Sequence, residues 1–139
     1  MTSKNLLLVT GASSGIGREI SRKLCKEGYE VILASRSKEN LNSLHDELGK
    51  LGYKSHVIPC DVRIEDEVND LYEKSSKLGF VGCVINNAGI GRFSSINKMS
   101  IKDWDEQINT NLRSSFLTTR LFVKKMIEKK EGKFIFINS

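Results

Sequence analysis

The stretch that decides the fold is Thr10-Gly11-Ala12-Ser13-Ser14-Gly15-Ile16-Gly17, which follows an apolar run at residues 6–9 and precedes a helical pattern from Arg18. Glycines let the backbone turn sharply and come close to a bound group. The free N–H groups at the start of the following helix then point toward an anion. This strand, turn and helix arrangement predicts a Rossmann-type cradle for the pyrophosphate of a dinucleotide.

An ordinary tight turn is the alternative interpretation of this run. Three glycines and two hydroxyl residues directly before a helix are more than a turn alone requires. We expect Gly17 to pack the helix against the strand, with no room for a side chain. The residues of the loop expected to bind the cofactor are Gly11, Ser13, Ser14, Gly15, Ile16 and Gly17.

Strand-like and helix-like stretches alternate along the rest of the chain. Apolar runs predict strands at residues 6–9, 31–34, 56–60, 81–85 and 134–137. Apolar rows at helical spacing predict helices through Ile16, Ile20 and Leu24, through Leu41, Leu44 and Leu48, and through Val68, Leu71, Ser75 and Leu78. Such alternation is typical of βαβ units, and nearly continuous apolar strands indicate burial on both faces. The predicted fold class is α/β, a Rossmann-type doubly wound parallel sheet of about five strands, forming one domain over residues 1–139.

A longer helical region is predicted from Ser100 onward. Ser100 and Asp103 can form a capping box at its start, and Gly132 should end it. The face expected to pack against the sheet carries Trp104, Ile108, Leu112, Ser115 and Thr119.

Composition narrows the class of protein. A chain of 139 residues with 39% hydrophobic content can bury one ordinary core. The three cysteines, Cys25, Cys60 and Cys83, lie far apart without a CxxC spacing, which indicates small buried side chains in a reduced, cytoplasmic protein. His45 and His56 have no Cys or His partner at metal-ligand spacing, so we expect no metal.

The formal net charge of +5 is spread thinly along the chain. Its densest clusters, at residues 124–125 and 129–130, lie near the end of the predicted long helix, where cations oppose the helix dipole. Because no basic stripe with interleaved aromatic residues occurs, we expect no nucleic-acid partner. No segment approaches the ~20 apolar residues of a membrane span, so we expect no membrane association.

Four further motifs follow the glycine loop in order. They are Asp61-Val62 after the third strand, Asn86-Asn87-Ala88-Gly89 after the fourth, Asn109-Thr110-Asn111, and Asn138-Ser139. On these motifs the chain, from Lys4 to Ser139, resembles the short-chain dehydrogenase/reductase family. The resemblance implies that Asn87, Ala88 and Gly89 line the cofactor, with the Asn87 amide tying neighbouring strands together. It also implies that Asp61 accepts a hydrogen bond from the adenine amino group beside an apolar wall from Val62. An ordinary strand-to-loop turn stays open as the alternative for residues 87–89.

The choice of cofactor depends on the residues after the second strand. Sites for NAD place a carboxylate about 20 residues beyond the glycines, where it accepts from the ribose 2′-hydroxyl. This chain has Ser35-Arg36-Ser37-Lys38 there and no carboxylate before Glu39. A guanidinium binds a 2′-phosphate in bidentate geometry, with neighbouring hydroxyls as additional donors. Ser35 and Arg36 therefore predict NADP as cofactor, and a solvated loop arginine is the alternative.

The resemblance also implies how catalysis proceeds. The family uses an Asn, a Ser and a Tyr-x-x-x-Lys pair, in which the Tyr exchanges a proton while hydride passes between nicotinamide and carbonyl carbon. Asn111 falls at the Asn position, where a helix kink lets the backbone hold a water, and Ser139 falls at the Ser that polarises the substrate carbonyl. An Asn bonded to its own helix backbone and a Ser capping the next turn are the alternatives.

No Tyr-x-x-x-Lys occurs in the 139 residues, because Tyr29, Tyr53 and Tyr72 have Leu33, Val57 and Ser76 four positions later. We expect this pair beyond residue 139, so that the chain is C-terminally incomplete and inactive by itself. The expected function is the cofactor-binding half of an NADP-dependent oxidoreductase acting on CH-OH groups, with a small carbonyl or alcohol as substrate. The family resemblance implies a homo-oligomer for the full-length form.

Two other functions compete with this hypothesis. One is a non-catalytic regulatory protein or pseudo-enzyme that binds NADP. The other is a methyltransferase. Arg36 argues against this function, because methyltransferase sites usually have an acidic ribose ligand at that position. The substrate stays open among acyl-carrier-protein thioesters, steroids, sugars and small ketones.

Overall fold

The computed structural model describes residues 6–138 and shows a five-stranded parallel sheet flanked by helices. The strands are β1 (Leu6–Thr10), β2 (Glu30–Ser35), β3 (Ser55–Pro59), β4 (Val81–Asn86) and β5 (Lys133–Phe136). Their order across the sheet is β3-β2-β1-β4-β5, and every neighbouring pair is parallel. The five predicted strands are confirmed, and their ends differ from the predicted ends by at most one residue.

Helices fill each connection between strands. They are α1 (Gly15–Lys26), α2 (Lys38–Lys50), α3 (Glu65–Leu78), α4 (Ile101–Gln107) and α5 (Ser114–Lys129). A wider π-helical segment, Ile108–Arg113, joins α4 to α5 without a break. The predicted capping box is confirmed, because Ser100 Oγ accepts from the Asp103 N–H at 3.0 Å and donates to Asp103 Oδ2 at 2.8 Å.

Two predicted helix ends are wrong. Helix α1 begins at Gly15 rather than Arg18, because the last three residues of the glycine run already form its first turn. Helix α5 ends at Lys129 rather than Gly132, because Lys130 adopts a left-handed conformation with φ of +52°.

Both faces of the sheet are buried, each under its own helices. On one face, residues of β1, β2 and β4 pack with Cys25, Leu41, Leu44 and Leu48 of α1 and α2. On the other face, the alternate strand residues pack with Val68, Leu71, Leu117 and Phe122 of α3 and α5. The sheet is therefore doubly wound, as predicted. Two members of the predicted apolar rows are exposed: Ile16 lies in the first turn of α1, and Leu78 in the last turn of α3.

The predicted buried face of residues 101–129 is wrong. Trp104, Ile108 and Leu112 are 50%, 37% and 65% exposed, and Ser115 and Thr119 are only half-buried. The buried face instead carries Thr110, Ser114, Leu117, Thr118, Phe122 and Met126. The physical reason is twofold. The π segment changes the angular position of the residues that follow it. The buried hydroxyls of Ser114 and Thr118 are hydrogen-bonded, so these polar residues can face the sheet.

The cysteines and histidines occupy structural positions. All three cysteines are buried free thiols, and burial raises the pKa of Cys25 to about 11 and that of Cys60 to about 12. His45 Nδ1 lies 2.9 Å from Ser55 Oγ, and His56 Nε2 lies 2.5 Å from Glu30 Oε1. Within residues 6–138, no cluster of His, Cys, Asp and Glu is arranged to hold a metal. None of the helices in that range has the length and apolar character needed to span a membrane. The expected cytoplasmic location stays a prediction.

Candidate functional site

A cleft of about 650 Å³ opens at the carboxyl ends of the strands. It lies where the strand order reverses, since β2 and β3 extend from one side of β1 while β4 and β5 extend from the other. Ligands of open α/β sheets bind at such a switch point. The cleft is lined by twelve of the predicted site residues: Gly11, Ser13, Ser14, Gly15, Ile16, Ser35, Arg36, Asp61, Val62, Asn87, Ala88 and Gly89. Ser37, expected only as a hydroxyl neighbouring Arg36, also lines it, and four lining residues were not predicted: Cys60, Arg63, Ile90 and Thr110.

The glycine loop brings backbone close to backbone beneath the cleft. Gly11 has a φ of +66°, a conformation that side-chain-bearing residues rarely adopt. A Cβ on Gly17 would lie 2.2 Å from Gly11 O and 2.4 Å from Asn87 Nδ2, so Gly17 has no space for a side chain. Gly17 itself does not line the cleft and instead holds α1 against the end of β1.

The N-terminus of α1 faces the cleft with its donors available. The N-cap residue, Ser14, makes no side-chain capping bond, and the first turn contains no acidic residue. Ser13, Ser14, Gly15 and Ile16 all line the cleft at this point. Uncapped N–H groups and the positive end of the helix dipole together favour an anion there.

Thr10 and Asn87 join the ends of β1 and β4. Asn87 Nδ2 donates to Thr10 O at 3.1 Å and to Gly11 O at 3.3 Å. The N–H groups of Asn87 and Ala88 both donate to Thr10 Oγ1 at 3.0 Å. The tie implied for the Asn87 amide is thus seen in the geometry. The role of the Thr10 hydroxyl was not predicted, because it meets Asn87 only once β1 and β4 are neighbours in the sheet.

The far end of the cleft, after β2, is basic. The Arg36 side chain is exposed and makes no hydrogen bond or ion pair with any residue in 6–138. Ser35 beside it is buried, and its Oγ has no hydrogen-bond partner among the described residues. A buried hydroxyl without a partner costs free energy unless a ligand or water completes it. Ser35 and Arg36 therefore offer donors to an anionic group in the cleft.

Asp61, on the opposite wall, is bound by a neighbouring arginine. Its Oδ1 accepts from the N–H of Arg63 at 3.0 Å and from Arg63 Nε at 2.9 Å, and its Oδ2 accepts from Arg63 Nη2 at 2.6 Å. These bonds, opposed by partial burial and aided by the charge of Arg36, hold the pKa of Asp61 below its usual value. Asp61 thus enters the cleft as half of an ion pair rather than as a free carboxylate.

Asn111 lies in the π segment and reaches across to the loop after β4. Its Nδ2 donates to Ile90 O at 2.8 Å, and its Oδ1 accepts from the Ile90 N–H at 2.8 Å. The Asn111 side chain therefore bonds the loop after β4. This excludes the alternative of an Asn bonded to the backbone of its own helix. Single π turns are frequent at functional sites because they leave backbone groups unpaired.

Ser139 lies outside the described residues. The carboxyl end of β5 nevertheless lies beside that of β4, since the Ile137 N–H donates to Asn86 O at 3.0 Å.

The cleft fits a dinucleotide with an additional phosphate. Its middle offers the uncapped N–H groups at the start of α1 and two glycines without side chains, Gly11 and Gly15, which suits close approach of a pyrophosphate. Its far end offers the Arg36 guanidinium and the unpartnered Ser35 hydroxyl. No carboxylate other than the paired Asp61 lines the cleft within the described residues.

Comparison with known proteins agrees with this geometry. The chain is similar to the 3-oxoacyl-[acyl-carrier-protein] reductase FabG of Aquifex aeolicus, with 35% identity over 134 residues. It is also similar to the FabG reductase of Rickettsia prowazekii, with 39% identity over 132 residues. These alignments cover 95% of this chain but 54% and 52% of the relatives. The chain thus spans about half the length of the curated relatives it matches.

Solved structures share the fold at similar identity. A metagenomic short-chain oxidoreductase crystallised with NADP superposes with a TM-score of 0.94 at 33% identity, covering 99% of this chain and 63% of that one. A variant of actinorhodin polyketide ketoreductase crystallised with NADPH gives a TM-score of 0.93 at 33% identity, covering 100% and 55%.

The match to a family model extends over nearly the whole chain. The model described as short chain dehydrogenase matches residues 5–139, which include the glycine loop, the Asn87 turn and the π segment. Since sequence, fold and cleft agree over this length, the chain belongs to the short-chain dehydrogenase family.

Proposed function

We propose that residues 1–139 form the cofactor-binding part of an NADP-dependent oxidoreductase that interconverts a carbonyl and an alcohol. The observation that carries this proposal is the cleft itself, in which the uncapped start of α1 and the unpaired Arg36 side chain line one cavity. Two similar structures were crystallised with NADP or NADPH, which supports this choice of cofactor. Relatives named as a 3-oxoacyl reductase and a ketoreductase support reduction of a ketone.

Each part of the cleft has a proposed task. The loop at Gly11, with residues 13–16, holds the pyrophosphate, and Ser35 and Arg36 bind the 2′-phosphate. Val62 and Asp61 border the adenine, while Asn87, Ala88 and Gly89 line the path toward the nicotinamide. NADPH, when bound, supplies the hydride. The positioning of the cofactor is the task of this part of the chain.

The proposed catalytic residues are Asn111 and Ser139. Asn111 clamps Ile90 with two hydrogen bonds and so fixes the loop that lines the cleft beside Asn87. We propose that the π segment around Asn111 also leaves a backbone carbonyl free to hold a water that relays protons. Ser139 is proposed to donate a hydrogen bond to the substrate oxygen as charge develops there.

We propose further that the longer protein is a homo-oligomer. Four large apolar side chains follow one another at four-residue spacing and are exposed: Trp104, Ile108, Leu112 and Phe116. Burying such a row against a second copy would be favourable. Sedimentation velocity measures this, and a monomer at every concentration of the longer protein would contradict it.

A substitution at Gly17 tests the proposed cofactor site. Gly17→Val should abolish NADPH binding, because a Cβ there meets Gly11 O at 2.2 Å and must displace the loop. Gly49→Val is the matched control, since a Cβ on Gly49 meets nothing within 4 Å. Fluorescence titration with NADPH measures binding, and circular dichroism checks that both variants are folded. Unchanged affinity in folded Gly17→Val protein would show that the loop is not the phosphate site.

A further inference from the structure

The proposed adenosine end of the cleft is lined by one carboxylate, that of Asp61, and by two arginines, Arg36 and Arg63. Asp61 and Arg63 form an ion pair whose side chains are 13% and 31% exposed, and both residues line the cleft together with Arg36. Three N–H groups of Arg63 bond the two carboxylate oxygens of Asp61, at 2.6 to 3.0 Å. Within residues 6–138, Arg63 is the ion-pair partner of Asp61, and the more distant charge of Arg36 adds a smaller contribution.

The charge of Asp61 matters for the choice of cofactor. Charges of like sign repel each other over a range of about 10 Å, and solvent screens that repulsion less in a partly buried site than at the surface. A free carboxylate beside the adenine would therefore oppose a 2′-phosphate on the same adenosine while leaving a 2′-hydroxyl unopposed. An arginine bonded to this carboxylate attracts the phosphate over a similar distance and so offsets most of the repulsion.

The backbone around the pair is held by other contacts. The Asp61 N–H donates to Glu67 Oε2 at 2.6 Å, and Arg63 O accepts from Arg113 Nη1 at 2.9 Å. The Ile64 N–H donates to Asp61 O at 3.0 Å, which closes the turn. These three bonds do not involve the Arg63 guanidinium and remain available when that group is replaced.

We infer that Arg63 is a specificity-determining residue for the cofactor: by neutralising Asp61 it allows the adenosine end of the cleft to accept the 2′-phosphate of NADPH. Arg36 binds that phosphate directly, whereas Arg63 acts through Asp61 and is a positioning residue. This inference rests on the proposed binding of NADP(H) in the cleft.

The affinities for NADPH and NADH test this inference in a double-mutant cycle on the full chain. Arg63→Gln should weaken NADPH binding about tenfold, because it exposes the carboxylate, and should change NADH binding by less than about threefold. Asp61→Asn combined with Arg63→Gln should restore the NADPH to NADH affinity ratio to within about threefold of the original, because no free carboxylate is left. Arg63→Lys keeps the positive charge and should therefore keep most of the preference for NADPH over NADH.

Arg120→Gln is the matched control for the loss of one positive charge. Arg120 lies on α5, pairs with Glu65 at 3.7 Å and does not line the cleft, so its substitution should leave both affinities unchanged. Circular dichroism establishes that each variant is folded.

The outcomes separate this inference from the proposed function. If the unsubstituted chain binds NADPH and Arg63→Gln leaves the ratio unchanged or weakens both cofactors equally, the role of Arg63 is refuted and the proposed function stands. The neutralisation of Asp61 by Arg63 would also be refuted if the double variant had the same low NADPH to NADH affinity ratio as Arg63→Gln. The same low ratio in Arg63→Lys would refute it as well. Failure of the unsubstituted chain to bind either cofactor would refute both proposals.

Discussion

Arg36 is the residue on which the proposed preference for NADPH most directly depends. Its exposed guanidinium lines the cleft and has no partner among residues 6–138, so no internal ion pair must break when a phosphate binds. We predict that Arg36→Asp reverses the order of cofactor affinity. NADPH should bind on the order of a hundredfold more weakly, because charge-assisted hydrogen bonds are lost and a repelling carboxylate is introduced. Isothermal titration calorimetry with NADPH and NADH measures both affinities.

Lys38→Asp is the control for Arg36→Asp, because it makes the same charge change on an exposed residue outside the cleft lining. Solvent screening should limit its effect on the affinity ratio to about threefold. If the unsubstituted chain prefers NADH and the Arg36→Asp variant keeps that preference, Arg36 does not bind the 2′-phosphate.

Single residues of the cleft were predictable where one local requirement fixes the residue type. Gly11 needs a positive φ, Gly17 needs the absence of a Cβ, and Arg36 follows the strand at the position where a cofactor is chosen. Arg63 and Thr10 were missed because their roles depend on pairing: Arg63 meets Asp61 only in the turn that follows β3, and Thr10 meets Asn87 only once β1 and β4 are neighbours.

At the scale of elements, α5 packs on β4 partly through polar side chains. Thr118 Oγ1 donates to Asn86 Oδ1 at 2.6 Å, and both residues are buried. We predict that Thr118→Val lowers the free energy of unfolding by about 1–3 kcal/mol, because it leaves a buried amide oxygen without this donor while keeping the side-chain shape. Urea unfolding followed by circular dichroism measures the change.

The neighbouring residue provides the control. Thr119 Oγ1 is buried without a hydrogen-bond partner among the described residues, so Thr119→Val removes no bond and should leave the free energy of unfolding unchanged or slightly higher. If Thr118→Val and Thr119→Val lower the free energy of unfolding equally, the hydrogen bond from Thr118 to Asn86 does not stabilise the packing of α5 on β4.

The same element shows where prediction from sequence reaches its limit. The helix over residues 101–129 and its capping box were predictable, because Ser100 and Asp103 act within one turn. The π segment was indicated only by the family resemblance, as a helix kink at Asn111. Local propensity does not predict it, because its wider turn depends on which backbone bonds the packed helix can keep. Its buried face also carries Thr110, Ser114 and Thr118, which a search for apolar rows cannot detect.

At the scale of the molecule, the parallel arrangement makes one site from distant parts of the chain. The turns after β1, β2, β3 and β4 all open at the same edge of the sheet, which places Gly11, Arg36, Asp61 and Asn87 around one cleft. This convergence was predictable from the alternation of strands and helices, since parallel strands carry their carboxyl ends at one edge. The chain spans about half the length of the curated relatives it matches.

Residues 1–139 contain no Tyr-x-x-x-Lys, and we predict that they show no carbonyl reduction with NADPH by themselves. A longer form that includes such a segment should be active. In that form, Ser139→Ala should lower kcat on the order of a hundredfold and leave NADPH affinity unchanged, because the lost hydrogen bond acts on the reacting oxygen. Ser139→Thr, which keeps the hydroxyl, should retain more activity than Ser139→Ala. Steady-state kinetics measure both, and full activity of Ser139→Ala would remove Ser139 from the site.

The most direct test of the central claim is a crystal structure of the chain grown with NADP. We predict that the pyrophosphate lies against the N-terminus of α1, between Gly11 and Ile16. The 2′-phosphate should lie within hydrogen-bond distance of the Arg36 guanidinium. The Asp61–Arg63 ion pair should be intact beside the adenine. NADP bound outside this cleft, or bound in it with the 2′-phosphate turned away from Arg36, would contradict the account.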